Sequence, residues 1–238
     1  MPAPEPATRA DVLARLADHL APCRPPHPLR VAVDGPDAAG KTRLADDLTG
    51  VLAGRRDVIR VSVDDFHRPV EIRLRRGPLS PEGYYRDALD HDALIERVLR
   101  PLGPGGDRRY LPAAHNLRTD AALPDVPRTA RADAVLLVDG VFLLRPELRG
   151  HWDVAIYLHV DPEETLRRAL VRDLDLFGSA ETVRQRYRER YLPAQRRYRS
   201  EARPLDRADI LLDLTDPSAP AVLRWPAGNP VGADRESW

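Results

Sequence analysis

Apolar residues along the chain fall into two alternating kinds of pattern. Five short, nearly continuous runs read as buried strands: Leu29 to Val33 (LRVAV), Val58 to Val63 (VIRVSV), Ala134 to Val138 (AVLLV), Val154 to Val160 (VAIYLHV) and Ala208 to Leu212 (ADILL). Between them apolar residues recur at helical spacing. Val12, Leu13, Leu16 and Leu20 follow a cap at Thr8 and Asp11 and predict a helix to about Ala21. Leu44, Leu48, Val51 and Leu52 predict a second helix, closed by Gly54. The segment from Tyr84 predicts a third, with Leu94, Val98 and Leu99 as its apolar face. Asp161, Pro162, Glu163 and Glu164 form a helix start of cap, first-turn proline and acids. A further helix is predicted from about Glu181 to Ala202, with Val183, Tyr187 and Tyr191 on one face and Pro193 breaking or kinking it. Strands alternating with helices predict an α/β fold with a mostly parallel central sheet and helices on both faces.

The punctuation divides the chain. Residues 1 to 7 are proline-rich and read as disordered, and the prolines from Pro22 to Pro28 end the first helix. Residues 68 to 82 read as a loop, and residues 101 to 133, rich in proline and glycine, read as a functional arm. Tyr110, His115 and Arg118 are that arm's candidates for ligand contact. Beyond Thr215 the sequence reads as a tail tacked down by Trp225. The expected organisation is a tail and helix over 1–26, one domain over 27–216 with its arm at 101–133 and a lid at 161–180, and a tail over 217–238.

Composition narrows the function. At 238 residues, with 42% hydrophobic and 31% charged, the chain fits one core better than two. Lys plus Arg equals Asp plus Glu, so no global field favours nucleic acid or a membrane surface. The arginines and tyrosines of the 181–202 helix are therefore not read as a nucleic-acid site. A single cysteine, Cys23, excludes an internal disulfide and a CxxC zinc site. No apolar run has signal-peptide or transmembrane length, so the expectation is a soluble, cytoplasmic protein.

One stretch carries specific chemistry. GPDAAGKT, Gly35 to Thr42, fits G-x-x-x-x-G-K-[ST] between a strand and a helix. That placement gathers backbone N–H groups and a helix dipole around one point, where a polyphosphate can be held. Gly35, Pro36, Asp37, Ala38, Ala39, Gly40, Lys41, Thr42 and Arg43 are the expected nucleotide-binding set. Lys41 would reach the β/γ-phosphates and Thr42 would hold Mg²⁺. Lys41 is the only lysine in the chain. A sequence that elsewhere writes arginine for its long cations keeps the compact ammonium at this loop.

Acids at strand ends add to the site, because side chains just past the carboxyl ends of strands face the ligand crevice in open α/β sheets. Asp64, ending the second strand, is placed near the phosphates, and Asp139 is a candidate for ordering Mg²⁺. On the helix after Asp161, Glu164, Arg168 and Arg172 are four apart. They read either as a surface salt-bridge ladder or as arginines over a transferring phosphoryl.

Taken together, several stretches resemble the uridine kinase/phosphoribulokinase family of phosphate-loop kinases, from about Leu29 to Asp213. SVDDFH, Ser62 to His67, is similar to that family's segment in which an Asp two before a Phe deprotonates the acceptor hydroxyl, which maps onto Asp64 and Phe66. RDALD, Arg86 to Asp90, resembles the family's P-D-A-F-D. Tyr110 and His115 keep the spacing of a tyrosine and histidine placed near the base in uridine kinases. Asp139-Gly140 stands where the family has Glu-Gly, RRALVRD (Arg167 to Asp173) resembles the lid arginine run, and RPLDRADILLD resembles the closing P-x-x-x-x-A-D-I. The resemblance implies a phosphate-loop NTPase three-layer fold with ATP and Mg²⁺ as cofactors. It also implies acceptor contacts at Asp64, Phe66, His67, Tyr84, Tyr85, Tyr110, His115 and Arg118, and metal contacts at Thr42, Asp64 and Asp139.

The departures concern the acceptor. Tyr84 stands where uridine kinases have a ribose-contacting Asp, His67 replaces a tyrosine, and Phe177 replaces a lid arginine before Gly178. The expected function is transfer of the γ-phosphoryl of ATP to a hydroxyl, first of all the 5′-hydroxyl of a nucleoside. Lys41, Arg168 and Arg172 would neutralise charge, with Asp64 as base. Other acceptors, such as pantothenate or a nicotinamide nucleoside, and an ATP-dependent switch remain as alternatives. A GTPase is excluded, because the guanine-reading N/T-K-x-D motif needs a second lysine. Expected partners are the small-molecule acceptor and a possible second copy of the chain.

Overall fold

The computed structural model describes residues 8–227. The proline-rich start over 1–7 and the end of the expected tail, 228–238, lie outside the described residues. Ten strands occur among them: β1 (Leu29–Asp34), β2 (Val58–Ser62), β3 (Arg109–Tyr110), β4 (His115–Asn116), β5 (Ala121–Ala122), β6 (Arg128–Thr129), β7 (Val135–Gly140), β8 (Val154–His159), β9 (Ile210–Asp213) and β10 (Ala221–Arg224). Six of them form one sheet in the order β10-β9-β8-β1-β7-β2. All its neighbours run parallel except β10, which pairs antiparallel with β9.

Both faces are covered, as the run-like strands predict. Alternate strand residues point to opposite faces. Val31, Val33, Leu137, Ile156 and Leu158 pack with Leu16, Leu20, Leu44 and Leu48 of helices Arg9–Leu20 and Lys41–Leu52. Ala32, Val61, Leu136, Val138 and Tyr157 face the other layer, which holds Tyr84, Tyr85, Phe142, Trp152 and Tyr198. This is the α/β three-layer architecture of phosphate-loop NTPases. The first helix starts on a capping box: Thr8 Oγ1 accepts from the Asp11 N–H at 3.2 Å, and the Asp11 carboxylate accepts from the Thr8 N–H at 2.9 Å.

Several local expectations change. The loop over 68–82 contains a helical turn, Val70–Arg73. The helix expected from Tyr84 is two pieces, Pro81–Asp87 and His91–Leu99, parted where Leu89 bridges to His67. The arm over 101–133 is a nested pair of short antiparallel ladders, β3 with β6 and β4 with β5. Asp161 occupies the cap position of helix Pro162–Arg172 but makes no side-chain cap bond. β9 is not the closing strand: the expected tail supplies β10 at the edge. Trp225 does anchor that end, with Arg15 4.1 Å above its ring and His19 edge-on at 5.3 Å.

Pro193 does not break the 180–202 helix, which runs through Tyr187–Tyr191 into Leu192–Ala202. A proline lacks the N–H for an ordinary helical bond, and the wide turn Tyr187–Tyr191 just before it absorbs the mismatch. Helices Pro162–Arg172 and Ala180–Arg186 share a third, small core of Ala169, Val183 and Tyr187. Among the described residues no helix is long and apolar enough to cross a membrane.

Candidate active site

The registers of the central strands converge on one edge. Val33 pairs with Asp139, Asp34 with Gly140, and Ser62 with Asp139. The loop 35–40, the turn Val63–Phe66 and the end of β7 therefore meet. A cleft of about 320 Å³ opens there, lined by Asp37, Lys41, Thr42, Asp64, Tyr84 and Asp139 and by Arg168 and Arg172 of helix Pro162–Arg172.

Two glycines make this convergence possible. Gly35 has φ +154°, and a Cβ on it would lie 2.7 Å from the Leu158 carbonyl oxygen, so the loop can pass β8 only without a side chain. A Cβ on Gly140 would lie 2.0 Å from Val63 Cγ1. Gly140 thus lets β7 and the turn that carries Asp64 touch. Helix Lys41–Leu52 has no side-chain cap at its N-terminus, which leaves its first N–H groups for a ligand.

Lys41 is half-buried, and its Nζ donates to the Pro36 carbonyl at 2.7 Å. Among the described residues no carboxylate comes within ion-pair distance of it. Burial lowers its pKa, while Asp37, Asp34, Asp64 and Asp139 act in the opposite direction. Thr42 Oγ1 donates to Asp139 Oδ2 at 2.6 Å, and Arg60 Nη2 donates to Asp139 Oδ1 at 3.0 Å. Asp64 is two-thirds exposed and faces the cleft from a turn capped by Ser62 Oγ. Its neighbour Asp65 has its pKa raised, first by burial and then by Asp64 and Asp139.

The acceptor side differs from expectation. Asp37, read as a phosphate-loop contact, accepts from Tyr84 Oη at 2.7 Å and from Gln195 Nε2 at 3.2 Å. Tyr84 thus meets a carboxylate of the loop. Arg168 pairs with Glu164 at 2.7 Å, as the salt-bridge ladder predicts, and also donates to the Leu214 and Thr215 carbonyls. Arg172 leaves that ladder: it grips Asp173 in a bidentate pair at 2.6 and 3.0 Å and donates to Tyr187 Oη at 3.2 Å. Both arginines line the cleft.

Other residues singled out in the sequence do not line it. Phe66 is fully buried in the core. His67 Nδ1 lies 2.9 Å from the Asp64 carbonyl oxygen, bracing the turn. Tyr85 packs edge-on against Phe142 at 5.2 Å with Arg145 over its ring. Tyr110 joins the core, His115 Nε2 lies 3.1 Å from Asp120 Oδ1, and Arg118 is exposed.

Sequence reasoning missed Asp34, Tyr198, Gln195 and Arg60. Asp34 is fully buried beneath the loop, accepts from Gly35 N–H at 2.7 Å and from Tyr198 Oη, and burial raises its pKa to about 6. Tyr198 Oη in turn accepts from the Leu144 N–H at 2.9 Å. Asp34 carried a signal, an acid directly before the loop; its three companions carried none.

The loop suits a nucleotide polyphosphate: a half-buried ammonium with donors to spare, an uncapped helix start and glycines that admit close approach. Among the described residues no three His, Cys, Asp or Glu side chains cluster to hold a metal by themselves. Thr42 and Asp139 fit a Mg²⁺ that brings phosphate and water ligands with it.

No family model matches the chain. Over 169 residues it is 28% identical to uridine-cytidine kinase B of Dictyostelium discoideum, covering 71% of this chain and 68% of that protein. Over 156 residues it is 29% identical to a uridine kinase of Geobacillus kaustophilus, covering 62% and 68%. A solved structure described as a possible uridine kinase from Bacillus stearothermophilus superposes with a TM-score of 0.67 at 21% identity, covering 85% of this chain and 97% of that one. The chain is therefore similar in sequence to uridine kinases, at low identity, and shares the fold of a phosphate-loop kinase structure.

Proposed function

We propose that this protein is an ATP-dependent kinase that transfers the γ-phosphoryl group to a hydroxyl of a small molecule. The observation that carries the reading is Lys41: a half-buried ammonium bonded to a loop carbonyl, in one cleft with Asp64 and with the Thr42–Asp139 pair. In-line phosphoryl transfer needs mainly positioning and charge neutralisation. The loop N–H groups and Lys41 would hold the β/γ-phosphates, with Arg168 and Arg172 facing them from the lid. Mg²⁺, held by Thr42 and Asp139, would offset charge on the phosphate oxygens. Asp64, exposed to the cleft, would take the proton of the attacking hydroxyl.

For the acceptor, the names of the sequence relatives support the 5′-hydroxyl of a nucleoside of the uridine or cytidine kind. A second reading, an acceptor that is not a nucleoside, is favoured by Tyr84 and Phe177, which stand where uridine kinases use an Asp and an Arg. The test of the transfer itself is Asp64→Asn. The variant should bind Mg·ATP as the wild type does and lose about 10²- to 10⁴-fold in turnover. Unchanged turnover would remove Asp64 from the mechanism.

A further inference from the structure

Beside Tyr84, three arginines from two elements, the 180–202 helix and the turn Val70–Arg73, gather around Arg190. The Arg190 guanidinium lies 5.2 Å from the centre of the Tyr84 ring and 5.8 Å from that of Tyr191. Arg186 lies 4.6 Å over the ring of Phe177, at the tip of the lid. Arg73 comes from the turn Val70–Arg73, and the charges of both Arg186 and Arg73 act on Arg190.

This cluster is only partly neutralised. Among the described residues, Arg186 and Arg190 have no carboxylate within 4.0 Å; Arg73 reaches only Asp120, at 3.4 Å, and Asp120 is shared with His115. Arg190 is 5% exposed, and its Nη1 donates to the Pro78 carbonyl at 2.6 Å. The Nε atoms of Arg73, Arg186 and Arg190 are all buried without a hydrogen-bond partner. A buried cation with unspent donors and no counter-ion is costly in a fold unless an anion arrives to meet it.

Tyr84 touches both the cleft and this cluster. Its hydroxyl is spent on Asp37 at 2.7 Å, and its ring face is turned to Arg190. We propose that the arginines beside Tyr84 hold the anionic group of the phosphoryl acceptor. The acceptor is then an alcohol bearing a carboxylate or a phosphate, with its reacting hydroxyl on the Asp64 side. This rests on the kinase reading above and selects its second form: a neutral nucleoside offers these donors carbonyl and hydroxyl oxygens but no negative charge to meet the guanidinium groups.

The test compares matched acceptors in Mg·ATP-driven ADP release: glycerate against glycerol, and ribose 5-phosphate against ribose, with uridine as the neutral nucleoside. The wild type should prefer the charged member of a pair by about tenfold or more in kcat/KM, as charge-assisted bonds to a guanidinium require. The pair that responds tells carboxylate from phosphate. Arg190→Gln should erase the preference without changing the KM for ATP. Equal use of charged and neutral members, or a preference for uridine untouched by Arg190→Gln, would overturn the proposal and leave the kinase reading standing.

A second measurement does not depend on finding the acceptor. With the phosphate loop filled by Mg·AMP-PNP and ionic strength held constant, sulfate should raise the Tm of the wild type saturably. It should not do so in the Arg186→Gln/Arg190→Gln double variant. Non-saturable behaviour in the wild type overturns the anion site. The unliganded Arg190→Gln variant should be at least as stable as the wild type; a lower Tm would mark Arg190 as a strut on Pro78 instead. Failure to bind Mg·ATP at all would sink the kinase reading, with the AMP-PNP-free sulfate titration still deciding the anion site.

Discussion

Replacing Asp34 by Asn isolates one titration in the base of the site. The carboxyl is fully buried, and burial holds its pKa at about 6 against an ordinary 3.8, even though Tyr198 and Gly35 both donate to it. The folded protein therefore binds this proton more tightly than the unfolded chain does. For a carboxyl raised in this way, the stability it adds is present at low pH and is lost as pH rises through the folded pKa. The full span is worth about 3 kcal/mol. Between about pH 5 and about pH 7.5 the loss is about 1.4 kcal/mol. An asparagine does not titrate, so the variant should gain on the wild type by that amount across the window, and the other carboxylates cancel in the difference. Loss of one good acceptor adds an offset of about 1–3 kcal/mol that does not vary with pH. Urea unfolding of both proteins at several pH values reads the slope directly. A stability difference that is flat, or that falls with rising pH, would refute the assignment of a raised pKa to Asp34.

Three other substitutions test the scaffold of the site. Gly140→Ala places a methyl against Val63 and should cost about 1–3 kcal/mol by overpacking, with turnover falling because the turn carrying Asp64 must shift; unfolding and kcat measured together check it, and a variant neutral in both would contradict the contact. Tyr198→Phe strips a donor from Asp34 and an acceptor from the Leu144 N–H, both buried, and should lower stability by about 2–5 kcal/mol, seen as a drop in the urea midpoint. Lys41→Arg should weaken Mg·ATP binding by about tenfold or more despite retaining the charge, because the planar fork does not fit a site shaped for a compact point charge; equilibrium binding of a fluorescent ATP analogue measures it.

The parts of the fold legible in the sequence are those that local pattern decides. The buried strands, the loop between strand and helix, and the capping box at Thr8 each depend on neighbours a few residues away. β10 was not legible because its residues, AVLR before a proline-flanked tryptophan, carry too short a pattern to separate a strand from a tail. The ladders of the arm are two residues long, below what alternation can signal.

The cleft divides in the same way. Lys41, Thr42, Asp64 and Asp139 stand at strand ends or in a motif, and topology alone brings them to one edge. Gln195 meets Asp37 across 158 positions and Tyr198 meets Asp34 across 164, so no local spacing announces either contact. Tyr110 and His115 keep the family spacing, yet here Tyr110 is part of the core and His115 pairs with Asp120. Spacing fixes which residues a segment offers, and packing decides where they face. The arginine-rich 181–202 helix, for which composition offers no ligand, turns Arg190 inward beside Tyr84.

The most direct measurement of the central claim is ADP release from Mg·ATP in the presence and absence of candidate acceptors, with the phosphorylated product identified by mass. The account predicts release that one class of small alcohol stimulates strongly, with one phosphoryl group added to that alcohol for each ADP formed. ATP hydrolysis that proceeds at the same rate whatever acceptor is present, with no phosphorylated product, would contradict it and leave a nucleotide-driven switch in its place.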